Sequence, residues 1–310
     1  MNEKHVNIPR RAFVEGGFGL MAAGLAGCDR QPPRAQRPPL DARFTYDISR
    51  YERTDPTLLL YEEKNHFPTG LTEPKCIAVM GENILVGGDT VIQEFDAEGK
   101  RLRIRELPFT PHAIAPTGLI AFKDHFEGGQ PLGERVHLTA IAQRGDFVYV
   151  ADAGHREVLR CRADGTVLSR ITGFVVPSPY FDLHIGPENL LWIVNPGKHH
   201  IGAYTLDGQY ETGWGETAMN VEGFCGCCNP SYLVRLPDGR FVTSEKGLTR
   251  VKIYDVRGRF EGVVAGPEQF LHYRQTGKAV PIACDARGRV LVLEVLRREV
   301  RVFVPKDRKT

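Results

Sequence analysis

The 310-residue sequence has no stripe of basic residues, no apolar run long enough to cross a bilayer as a helix, no two Cys-x-x-Cys pairs and no recognisable catalytic triad. Each absence removes a class of function. The 40 Lys and Arg residues are scattered among 38 Asp and Glu, for a net charge of +2, so the electrostatic footprint of a nucleic-acid binder is missing. Without paired Cys-x-x-Cys there is no zinc ribbon, and without Cys-x-x-Cys-His no covalent haem. The weakly apolar stretch from Val14 to Gly27 is interrupted by Glu15 and falls short of the roughly 20 residues a spanning helix needs. What the chain has in quantity is glycine, 33 residues, and proline, 21, the composition of a turn-rich β protein.

Arg10-Arg11-Ala12-Phe13 precedes that weakly apolar stretch, which ends in Leu25-Ala26-Gly27-Cys28. The string resembles a twin-arginine export signal joined to a bacterial lipobox. In such lipoproteins, small residues let the signal peptidase reach the backbone and the cysteine thiol takes the diacylglyceryl chain. The resemblance implies that Arg10, Arg11 and Phe13 serve export, that residues 1–27 are removed, and that Cys28 is lipidated. Asp29 resembles the inner-membrane retention signal of some Gram-negative bacteria, which implies the periplasmic face of that membrane. Residues 28–42, proline-rich from Gln31 to Pro39, read as a tether, because proline removes a donor and blocks helix continuation. Residues 43–310 read as one domain.

From about residue 70 one pattern recurs. Short apolar runs end in an acid or amide: Val148 to Asp152, Leu191 to Asn195, Phe241 to Glu245, Val290 to Glu294. Asp152 lies 13 residues before Gly165, Asn195 13 before Gly208, and Glu245 13 before Gly258, and this equal interval marks a true repeat. A looser copy contains Ile84-Leu85-Val86 and ends its second run at Gly99. Alternating short runs with tight polar turns predict four-stranded antiparallel units that must stack and close into a ring. The string Gly145-Asp146-Phe147-Val148-Tyr149-Val150-Ala151-Asp152-Ala153-Gly154-His155-Arg156-Glu157-Val158 resembles an NHL repeat. That resemblance implies an all-β, six-bladed propeller of NHL/TolB-like architecture. Five units are plain, and a degenerate sixth fits between Pro111 and Gly133. Seven blades is the alternative if residues 43–69 form a blade rather than closing strands.

Aligning the units predicts which residues face the channel. Cys76, Ala140, Leu183, Leu233 and Ile282 fall on one parity and are expected to pack between blades, with Cys284 in step. Lys75, His112, Thr139, Asp182 and Tyr232 fall on the other, with His184 one step on, and are expected around the axis. Tyr180 leads into the same strand as Asp182 and is a further ligand-binding candidate. Cys225-Gly226-Cys227-Cys228-Asn229-Pro230 places three thiols in four positions just before an inner strand. Such a cluster suits a disulfide, a soft metal ion held by thiolates, or exchange with another thiol. Thiol chemistry would need a neighbour such as Lys75 or a histidine to lower a pKa, and His112 and His184 would complete a metal shell if the ring brings them to this loop. Glu245 and Lys246 occupy the turn position of Asp152 and Ala153, so turn chemistry is expected first and ligand contact second.

Three functions follow. The first is an anchored binding or scaffold module working with a protein partner in a redox or metal-handling system. The second is a metal-dependent lyase or hydrolase using Asp182, His184 and His112 as ligands and Tyr232 as acid or base. The third is direct thiol chemistry by Cys225, Cys227 and Cys228 in electron transfer or metal trafficking. No full ligand set of the propeller enzymes maps onto this sequence.

Overall fold

Runs of Val, Ile, Leu and aromatic residues, broken by glycine-bearing turns, form twenty-two strands among the described residues, with single 3-10 turns between some of them. A computed structural model of the chain describes residues 49–273 and 276–307. Arg10, Arg11, Phe13 and Cys28 lie outside these residues. No helix of the described residues is long and apolar enough to cross a membrane.

Strand β1 (Tyr61–Pro68) is followed by a four-stranded antiparallel blade of β2 (Pro74–Met80), β3 (Asn83–Gly88), β4 (Val91–Phe95) and β5 (Arg101–Glu106). A two-stranded ribbon comes next, β6 (Ala113–Ile114) and β7 (Ile120–Ala121). Three blades then run in simple order. They are β8 (Leu138–Arg144), β9 (Phe147–Asp152), β10 (Glu157–Arg162) and β11 (Val167–Ile171); β12 (Leu183–Ile185), β13 (Leu191–Asn195), β14 (His200–Tyr204) and β15 (Tyr210–Trp214); and β16 (Tyr232–Arg235), β17 (Phe241–Glu245), β18 (Arg250–Tyr254) and β19 (Phe260–Ala265). The last blade has only three strands of its own, β20 (Ile282–Cys284), β21 (Val290–Glu294) and β22 (Glu299–Pro305). Its outer strand is β1, paired from Tyr61 opposite Pro305 to Pro68 opposite Glu299. The segment before residue 70 therefore closes the ring.

The core is divided into six apolar clusters, one for each neighbouring pair around the ring. Ile77, Val86 and Phe95 meet Phe67, Ala283, Leu291 and Val300 across the closure, and Cys76, Leu85 and Ile92 meet Ile114 and Ile120 of the ribbon. A sheet buries only one face against each neighbour, so closure is what removes both faces from water.

The expected six four-stranded blades are corrected to five, with the ribbon at the sixth position. The reason is length. Strands average about 5–6 residues, so four of them with three turns need about thirty residues, more than lie between Pro111 and Gly133. Phe122, Phe126 and Val136 fill the space beyond β7 as buried loop side chains. The neighbouring outer strand β5 is exposed along its whole length, and a cleft of about 230 Å³ opens between it and the ribbon.

The equal 13-residue interval has a structural cause. Gly165, Gly208 and Gly258 each take φ between +79° and +95° in the turn joining third and fourth strands, with Gly99 at +90° in the first blade. Each N–H bonds the carbonyl three residues back, and the following strand pairing slips by one residue. Only glycine enters this left-handed region without a Cβ penalty.

Candidate functional site

Lys75, His112, Thr139, Asp182 and Tyr232 stand at or just before the starts of five inner strands, and with His184 they line a central channel enclosing about 570 Å³. Cys76, Ala140, Leu183, Leu233 and Ile282, one residue out of step, are buried in the clusters between blades. Side-chain alternation along a strand produces both sets.

Most polar groups of this wall join one blade to the next. Asp182 Oδ2 accepts the Leu233 N–H of the following blade at 2.7 Å, and its Oδ1 accepts the Leu183 N–H at 2.9 Å. Thr139 Oγ1 donates to Phe181 O at 2.6 Å, and His112 Nδ1 lies 3.2 Å from Leu138 O. Arg144 donates to Gly186 O at 3.2 Å, and Cys284 Sγ to Arg235 O at 2.7 Å. Burial pushes Asp182 up to about 7 against its two backbone donors. Burial pulls His112 and His184 down to about 4, aided by His137 in the first case and Arg235 in the second, so both rings are neutral at pH 7. His137 stacks edge-on against His112, ring centres 5.4 Å apart. The sequence reading missed it because it precedes the strand whose second residue, Thr139, was aligned.

Tyr180 does not line the channel. Its ring lies 5.8 Å from that of Tyr232, its hydroxyl accepts the Ala279 N–H at 3.2 Å, and the Lys246 ammonium sits 5.3 Å above it. It joins the channel wall to the cysteine loop.

That loop is held from below by β18. The strand pleat turns Arg250, Lys252 and Tyr254 to one side. Lys252 Nζ donates to Gly223 O at 2.7 Å and Val221 O at 3.0 Å, Arg250 to Asn220 O at 3.3 Å, and the Tyr254 hydroxyl to Glu222 O at 2.9 Å. Glu245 neutralises both cations from a site with no solvent exposure, 2.6 Å from Lys252 Nζ and 3.2 Å from Arg250 Nε. Burial raises the Glu245 carboxyl, and the two cations more than reverse it, so it stays ionised. Lys252 falls to about 8 through burial, with Glu245 opposing and Arg250 adding to the fall, and stays charged at neutral pH. The sequence reading missed Arg250 and Lys252. Their signal was two charges at alternate positions in an otherwise apolar strand.

The three loop thiols do not converge. Cys225 is buried, its sulfur 3.5 Å from Arg250 Nη2 and 3.9 Å from Glu245 Oε2, while Cys227 and Cys228 face each other, sulfurs 3.1 Å apart. Among the described residues, the one set of three His, Cys, Asp or Glu ligand atoms lying within 4.8 Å of one another is Asp152, His155 and Glu157, and it includes no thiol. Arg250 and Glu245 of the buried ion cluster hold Cys225 apart from the other two thiols. His112 and His184 stay in the channel wall. No disulfide joins the six described cysteines.

Asn229 fixes the far end of the loop. Its Nδ2 donates to Cys225 O at 2.7 Å and Lys246 O at 3.0 Å, and its Oδ1 accepts the Lys246 N–H at 2.9 Å. This pairing brings the Lys246 side chain to Cys228. Burial raises the Cys228 thiol, but hydrogen bonding from Lys246, Ser178 and Cys227, with the Lys246 charge, brings it below its ordinary value. Cys227 rises, chiefly through its hydrogen bond to Cys228. The lysine that acts on the loop thiols is thus Lys246, whereas Lys75 acts on Cys76.

No family model matches the sequence, and no curated protein matches it. Among solved structures the chain is similar to a structural-genomics protein of unknown function from Bacteroides thetaiotaomicron, at 13% identity and a TM-score of 0.56, over 78% of this chain and 72% of that one. It is also similar to the WD40 β-propeller domain of Doa1, at 11% identity and a TM-score of 0.49, over 80% of this chain and 98% of that one. At such identity the first likeness concerns fold alone. The ring of five four-stranded antiparallel blades makes this protein an all-β propeller.

Proposed function

We propose that this protein is an NHL-type propeller that binds a ligand at the mouth of its channel, tethered outside the cytoplasmic membrane through a lipidated Cys28 and working with a protein partner there. The observation that carries the binding reading is the commitment of Asp182, Thr139 and His112 to bonds between neighbouring blades. Groups fixed in this way form a rigid polar rim around an open, largely apolar cavity. Binding sites have this composition, apolar walls with few placed polar groups.

Asp182 supports a second reading. A carboxyl raised to about 7 inside a cavity is suited to acid–base work, and perturbed groups of this kind gather at functional sites. The two readings separate in one experiment. Thermal shifts of the exported protein are measured against aromatic and carboxylate small molecules, with a variant Lys75→Trp that obstructs the channel from an exposed lining position. Binding predicts a stabilising ligand whose effect disappears in Lys75→Trp and survives in Asp182→Asn. Catalysis predicts turnover of that ligand, lost in Asp182→Asn. The tether is tested by fractionation: Cys28→Ser should move the protein from the membrane to the soluble extracytoplasmic fraction, and unchanged membrane association would end that part of the proposal.

A further inference from the structure

Cys227 and Cys228 stand in an arrangement that neither channel binding nor loop folding requires. Cys225 and Asn229 already fix the loop through Arg250, Glu245 and Lys246. Cys227 is exposed and Cys228 is 1% exposed, yet their sulfurs touch at 3.1 Å. The Lys246 side chain and the Ser178 hydroxyl both reach the buried sulfur. We propose that Cys227 and Cys228 form a dithiol that exchanges with disulfides, Cys227 meeting the incoming disulfide at the surface and Cys228 resolving it from beneath.

The chemistry balances within the pair and its substrate. The Cys227 proton passes to the Cys228 thiolate as the Cys227 sulfur attacks a disulfide R–S–S–R′. The R–S–S–R′ bond breaks, a Cys227–S–S–R bond forms, and R′S⁻ leaves, taking the proton from Cys228. The Cys228 thiolate then attacks the Cys227 sulfur, forming the Cys227–Cys228 disulfide and releasing RS⁻. The disulfide gains two electrons and the pair loses two. Adjacent Cα atoms are about 3.8 Å apart, whereas ordinary disulfides span about 4.4–6.8 Å, so the product bond is strained and readily reduced again. A reversible bond suits exchange, not a structural staple. The substrate class is a disulfide small or protruding enough to reach the exposed Cys227.

The other described thiols are poor competitors. Burial raises Cys225, pushes Cys161 up to about 11, and pushes Cys76 and Cys284 up to about 12. This contrast makes the reaction measurable on the whole protein. The full chain carrying Cys28→Ser, reduced and freed of reductant, is mixed with excess 5,5′-dithiobis(2-nitrobenzoate), and the released thiolate chromophore is followed in time. The expected result is two fast equivalents per chain, with a peptide mass map that places the new disulfide between Cys227 and Cys228. Cys228→Ser should release one fast equivalent and keep a stable adduct on Cys227, and Cys227→Ser should lose the fast phase. Lys246→Gln should slow the second release, about threefold for each unit by which the resolving thiol's pKa climbs. One fast equivalent with a persistent adduct in the Cys28→Ser protein, or none, overturns the proposal. That arm needs no variant of the pair, so misfolding of a serine variant cannot rescue or sink it. It is also independent of whether the channel holds a ligand.

Discussion

Four of the hairpins joining second to third strands fall into two pairs. Asp152 and Asn195 are short, and each accepts a backbone N–H from the loop leading into its own blade, Asp152 from His137 at 2.8 Å and Asn195 from Val175 at 2.9 Å. Glu245 and Glu294 are one carbon longer and meet buried cations instead, Lys252 and Arg301, each seven residues on, at 2.6 and 2.7 Å. The residues seven beyond Asp152 and Asn195 are Leu159 and Gly202, which carry no charge. The loops explain the difference. Those before β8 and β12 offer N–H groups to the hairpin and need an acceptor. Those before β16 and β20 offer the carbonyls of Val221, Gly223 and Gln269 and need a donor, which Lys252 and Arg301 supply while the glutamate balances their charge. One repeat position thus solves two opposite hydrogen-bonding problems.

The largest expected effect comes from breaking the charged kind. Glu245→Ala leaves Lys252 and Arg250 buried without a counter-charge and should cost about 3–5 kcal/mol in urea unfolding. Adding Lys252→Met should recover only part of the loss, because Val221 and Gly223 lose their donor; full recovery would mean that the loop carbonyls play no role. Asp152→Ala should cost less, about 1–3 kcal/mol, since two backbone N–H groups and the partly exposed His155 ring lose their acceptor but no buried cation loses its counter-charge. Equal losses at Glu245 and Asp152 would erase the distinction between the two kinds of hairpin.

The channel adds a pH dependence that separates it from the hairpins. His112 and His184, with folded values near 4 against an ordinary 6.5, bind fewer protons folded than unfolded between those values, so stability rises with pH from about 4 to 6.5. Asp182, raised to about 7 from 3.8, binds its proton more tightly folded, so its contribution falls as pH climbs from about 4 to 7. Asp182→Asn should therefore steepen the rise seen in thermal unfolding between pH 4 and 6.5, and His184→Asn should flatten it. The smallest effect belongs to the residue next to the most costly one. Lys246→Gln should leave unfolding free energy within about 0.5 kcal/mol, because Lys246 is partly exposed and the contacts with Asn229 are made by its backbone. A large loss there would make Lys246 part of the loop's scaffold.

Much of this was legible in the chain. The 13-residue interval ending in positive-φ glycines and the parity of Lys75, Thr139, Asp182 and Tyr232 against Cys76, Ala140, Leu183 and Leu233 are local regularities, and local regularities survive in a linear reading. The sixth blade was misjudged because His112-Ala113-Ile114-Ala115 copies an inner strand faithfully, while the shortage of chain after it appears only when four strands must be laid out. The cysteine loop was recognised as unusual, but its thiols were grouped by nearness in sequence. Arg250, twenty-five residues away, draws Cys225 aside, and Lys246, eighteen away, selects Cys228.

The sequence by itself determined the strand periods, the turns, the repeat and which face of each inner strand is polar, because these depend on alternation and on glycine's freedom at fixed intervals. Only the tertiary structure decided that one position of the ring holds two strands, that the channel's polar groups join neighbouring blades, and that Glu245, Arg250 and Lys252 form one buried cluster beneath a pair of touching thiols. Those outcomes depend on desolvation and on contacts between distant segments, and neither exists until the ring closes.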